Sequence, residues 1–137
     1  MIGACIAEAS GREGAMGYHP INLFVRFLLE LAALAGLAWW GWQTHSGAAQ
    51  LAFCVLTPAL VATIWGMFAV PGDRSRHGSA PVPVPGAIRL MLELAVFAAA
   101  VIALALTGAL LLALLLAAAV CVHYLCSADR INWLVHH

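Results

Sequence analysis

Four long apolar stretches, residues 21–42, 49–70, 86–106 and 109–126, take up most of this chain. A helix needs about 20 predominantly apolar residues to cross roughly 30 Å of hydrocarbon. Each stretch meets or approaches that length, so the sequence predicts an all-α, four-helix transmembrane bundle. Composition points the same way. Of 137 residues, 64% are hydrophobic and 9% are charged, against about 25% charged in an ordinary soluble domain. These values exclude a soluble globular domain and a disordered tail. The chain has no lysine, and its arginines are matched by an equal number of acids. No basic field is left to hold a phosphate backbone, so nucleic acid is not an expected partner. The lipid bilayer is.

The segments outside the four stretches are short. Residues 1–18 are Gly- and Ala-rich and are expected to form a flexible tail. They lack the basic start of a signal peptide, and the apolar run that follows is too long for one. Met16 is an alternative start to Met1, because organised sequence begins at Tyr18-His19-Pro20. Residues 19–135 then form one membrane domain. Pro20 suits a helix start, and Trp39, Trp40 and Trp42 suit a membrane–water interface. Pro58 should kink the second span. Residues 71–85 form a Pro-rich loop whose alternate prolines, Pro81, Pro83 and Pro85, favour an extended path. Thr107-Gly108 allows only a tight turn between the last two spans. The tail from Ser127 reads as an interfacial end. Arg12, Arg74, Arg76 and Arg130 all fall on one side of this topology. The positive-inside rule then places both termini and the 71–85 loop in the cytoplasm, with the chain in the bacterial cytoplasmic membrane.

A heptapeptide occurs twice in similar form. Arg26-Phe27-Leu28-Leu29-Glu30-Leu31-Ala32 returns as Arg89-Leu90-Met91-Leu92-Glu93-Leu94-Ala95. Each copy opens an odd-numbered span a few residues after a proline, Pro20 or Pro85. The chain thus reads as two tandem helical hairpins, a parallel internal repeat about an axis along the membrane normal. The repeated charges are the most informative residues. A charge at the bilayer centre costs roughly 2.5–3.5 kcal/mol on insertion scales. Arg26 lies about 7 Å into its span at 1.5 Å per residue and can snorkel outward. Glu30 lies about 13 Å in and has no such stem. Arg26 and Glu30, like Arg89 and Glu93, stand at i, i+4 on one helix face.

Two Arg–Glu pairs facing each other would form a net-neutral, four-charge cluster. One reading makes that cluster a lock fixing the hairpins in register. The other makes Glu30 and Glu93 the lining of a cavity for a proton, a cation or a basic solute, as intramembrane carboxylates often do. His123 sits near the end of the fourth span, where it would serve as a proton relay or as an interfacial hydrogen-bonding residue. His19 and His123 lie on the same side but in no haem motif. Cys5, Cys54, Cys121 and Cys126 fit no zinc spacing and read as packed thiols. The Ala32-x3-Gly36 spacing permits close helix contact. No phosphate loop, nucleophile elbow or zinc-helix motif is visible. No metal, cofactor or enzymatic activity is therefore expected.

The block His19-Pro20-Ile21-Asn22-Leu23 with Arg26 and Glu30, then Trp65-Gly66 with Pro71, then Arg89-Leu90 with Glu93, resembles the YrdB-like family of small bacterial membrane proteins. The closing His123-Tyr124, Asp129-Arg130 and Trp133-Leu134 fit the same pattern, so the resemblance spans about residues 19–135. It implies a four-span protein of the bacterial inner membrane and brings no activity with it. Two functions are expected from the residues themselves. The first is a small proton- or cation-responsive transport or channel-like protein, acting as a dimer because four helices enclose little volume, with its solute unspecified. The alternative is a non-transporting scaffold or accessory subunit in which the charges are structural.

Overall fold

The computed structural model describes residues 18–73 and 80–137. The expected tail, Tyr18 excepted, lies outside the described residues, as do Met16, Arg74, Arg76 and His77. Helix α1 runs Pro20–Thr44. Pro20 needs no backbone N–H there, and the His19 ring accepts a hydrogen bond from the Ile21 N–H. After the two linking residues His45 and Ser46, Gly47, at φ +63°, opens α2, Gly47–Met67, which carries Pro58 in its interior. Strand β1, Phe68–Ala69, then pairs in parallel with β2, Val82–Pro83. Helix α3 spans Gly86–Leu106 and α4 spans Leu110–Cys126. Between them Gly108 takes a φ of +80°, the left-handed conformation that a turn this tight requires. The chain then bends by 74° into α5, Ala128–Val135.

Among the described residues, α1, α2 and α3 are long and apolar enough to cross a membrane. Helix α4 passes the same test jointly with α5, which makes a fourth span if the bent pair counts as one. The expected first, third and fourth stretches agree with the helices to within about two residues at each end. The second does not. It was expected to run to Val70, but the helix ends at Met67. Phe68-Ala69-Val70 is as apolar as the helix before it. Extended pairing with Val82 and Pro83, and the Val84 N–H bond to the Ala69 carbonyl at 3.0 Å, draw it out of the helix.

Helices α1, α3 and α4 share the core, built from residues such as Leu29, Ala33, Phe97, Ala100, Leu104, Leu116 and Val120. Helix α2 packs chiefly along α1 and buries none of its own side chains. Its apolar surface is what a lipid-facing helix presents. In lipid, close packing rather than water exclusion holds helices together, and small residues permit it. Gly41 is the clearest case: a Cβ there would stand 2.6 Å from the Phe53 carbonyl oxygen of α2. Gly86 likewise gives its space to the backbone of Leu134 in α5. The tail beyond Ser127 is thus a docked helix, and Leu134 is fully buried.

Candidate functional site

The starts of α1 and α3, the ends of α2 and α4, and all of α5 meet at one end of the bundle. Asn22 of α1 donates to the Ser127 hydroxyl at 2.7 Å, which ties the first helix to the α4–α5 corner. Glu93, on the second turn of α3, lies at the centre and is 1% exposed. Its Oε1 accepts from Arg26 Nη2 at 2.7 Å, Arg130 Nη2 at 3.0 Å and Arg89 Nε at 3.1 Å. Its Oε2 accepts from the Tyr124 hydroxyl at 3.0 Å and Arg130 Nη1 at 3.1 Å. A carboxylate offers about four lone-pair sites. Glu93 is therefore saturated by groups of its own chain, and Arg130 binds it in the two-pronged geometry that guanidinium favours.

Each arginine has a second task. Arg26 Nε reaches back to Glu30 Oε1 at 3.0 Å. Arg89 Nη1 donates to the Trp65 and Phe68 carbonyls, both at 2.6 Å. These carbonyls belong to the end of α2, where helical partners run out and the helix dipole is negative. Arg130 reaches Asp73 Oδ2 at 3.5 Å. Among the described residues, three arginines thus face the carboxylates of Glu30, Asp73 and Glu93.

The four charges singled out in the sequence, Arg26, Glu30, Arg89 and Glu93, do come together. They are not equivalent. Among the described residues, Glu93 binds three arginines, whereas Glu30 binds Arg26 alone and keeps 27% of its side chain exposed. His123 is buried and packs edge-on against Tyr124, with ring centroids 5.8 Å apart. It makes no hydrogen bond to Glu93, and its Nδ1 has no partner among the described residues. The hydroxyl that does reach Glu93 belongs to Tyr124. Sequence reasoning passed over Tyr124, Asp73 and Arg130 as cluster members. For Arg130 a signal existed: Arg130 and Leu134, at i, i+4, form the buried face of α5.

Beside Glu93 lies a polar cavity of ≈ 240 Å³, bounded by Arg26 and Glu30 of α1, Trp65 of α2, Asp73 and Arg89. Trp65 stacks under the Arg89 guanidinium at 5.7 Å and meets Phe97 edge-on. Among the described residues, no group of three or more His, Cys, Asp or Glu side chains could hold a metal ion.

Long apolar helices around an internal ion network are compatible with a multi-pass membrane protein. The chain belongs to the family described as "Protein of unknown function (DUF2568)", which matches residues 24–121. That match includes Arg26, Glu30, Arg89 and Glu93 and ends before Tyr124 and Arg130. The chain is also 37% identical over 118 residues to "Uncharacterized protein YrdB" of Bacillus subtilis (strain 168), covering 86% of this chain and 96% of that protein. No solved structure matches it.

Proposed function

We propose that this chain is a non-transporting, multi-pass module of the bacterial cytoplasmic membrane, a scaffold or accessory subunit whose Arg/Glu network is an architectural clamp. The observation that carries this reading is the saturation of Glu93. A carboxylate that binds or relays a proton or cation needs an open oxygen, and both oxygens of Glu93 are occupied by Arg26, Arg89, Arg130 and Tyr124. One side chain thereby joins α1, α3, α4 and α5, and Arg89 adds the end of α2. The reading places four spans in the membrane, as two hairpins descended from one repeated unit, with the clamp and both termini on the cytoplasmic side. The matched Arg–Glu pairs, at 3.0 Å in α1 and 3.1 Å in α3, support the repeat.

Removing one partner of a buried charge network leaves the others uncompensated, at about 3–5 kcal/mol. Glu93→Gln should therefore lower stability in detergent by about that amount. Proteoliposomes of the wild type should pass protons and monovalent cations no faster than empty vesicles. Flux that depends on the protein and disappears in a well-folded Glu30→Gln variant would overturn the reading. That outcome would favour the second one, proton- or cation-responsive transport by a dimer. The second reading is supported by the position of Glu30 on the polar cavity.

A further inference from the structure

The polar cavity has open groups of both signs. Glu30 uses only Oε1, and its Oε2 has no partner among the described residues. Arg89 spends Nε on Glu93 and Nη1 on two carbonyls, which leaves Nη2 without a hydrogen bond there. An acceptor and a charged donor thus line the same space. A zwitterion satisfies both: its anionic group suits the Arg89 fork and its ammonium suits Glu30. The volume, ≈ 240 Å³, falls below the roughly 300–1,000 Å³ of pockets for drug-sized ligands and suits a small headgroup. The walls run from Glu30, within α1, to Asp73, beyond the end of α2. On the membrane reading proposed above, on which this inference rests, the cavity reaches the level of the lipid headgroups.

We propose that this cavity binds a phosphoethanolamine zwitterion, with its phosphate on Arg89 and its ammonium on Glu30. The group would be presented by a phosphatidylethanolamine headgroup or by the free molecule.

The test is the thermal stability of the full chain with defined probes. In detergent, O-phosphoethanolamine should raise Tm, and inorganic phosphate or ethanolamine alone should not. In nanodiscs, phosphatidylethanolamine should raise Tm relative to phosphatidylglycerol. A response to the lipid but not to the soluble headgroup assigns the lipid as the source. A response to both assigns a site open to the free molecule as well. Glu30→Gln should weaken binding by at least about tenfold, the weight of one charge-assisted hydrogen bond. Gly66→Leu should abolish it by filling the cavity. Gly66 borders the cavity, and among the described residues a Cβ there meets nothing within 4 Å, so the added side chain has room to enter. Equal Tm with all probes, an equal rise from phosphate alone, or an undiminished rise in Gly66→Leu would each overturn the proposal. Its failure is distinct from failure of the clamp: a Glu93→Gln variant as stable as wild type would remove the clamp and leave the headgroup response to stand or fall separately.

Discussion

Glu30 and Glu93 share a local sequence and differ in everything the fold adds. Each follows an arginine by four residues inside an apolar run, and that much was legible: a charge in such a run has to be accounted for. Which of the two is the hub was not legible, because the repeat presents them as equals. The difference comes from Tyr124 of α4 and Arg130 of α5, far along the chain, which both reach Glu93. Arg89 shows why the cations are arginines. It spans Glu93 and the carbonyls of Trp65 and Phe68 with different nitrogens of one planar group. Lysine concentrates its donors on a single nitrogen and cannot reach both sides. Arg89→Lys should therefore lose about 1–3 kcal/mol although the charge is kept. Chemical or thermal unfolding in detergent measures the loss, and wild-type stability in Arg89→Lys would show that charge alone suffices.

At the scale of elements, the long helices were legible and the joints between them were not. Length and apolarity mark α1, α3 and α4 because lipid accepts little else. The end of α2 was misplaced because Phe68-Ala69-Val70 carries no polar signal, and its extended form depends on a partner at Val82. Helix α5 was read as an interfacial tail because eight residues are too few to announce a docked helix. Glycine contacts test how tightly these joints are made. Gly86→Ala drives a methyl group into the Leu134 backbone and should push α5, with Arg130, off α3. Gly36→Ala meets only the Leu104 side chain, at 3.2 Å, which can shift. The first substitution should destabilise by about 1–3 kcal/mol and the second by clearly less. Equal melting temperatures for the two would mean that α5 contributes nothing to the clamp.

At the scale of the molecule, the acidic and basic side chains among the described residues gather at one end. Arg26, Glu30, Asp73, Arg89, Glu93, Asp129 and Arg130 lie where α1 and α3 begin, α2 and α4 finish and α5 docks. The opposite end, at Thr44-His45-Ser46 and Thr107-Gly108, has no acid, lysine or arginine. A helix bundle with such polarity should insert with the arginine-bearing end toward the cytoplasm. Two single cysteines decide the matter once the four native ones are replaced. Ser46→Cys, exposed between α1 and α2, should react with a membrane-impermeant maleimide in spheroplasts. His136→Cys, exposed after α5, should react only after lysis. The reverse pattern would place the clamp at the outer face. It would also move the polar cavity from the headgroups of the inner leaflet to those of the outer one, so orientation fixes which leaflet can supply a lipid to Glu30 and Arg89.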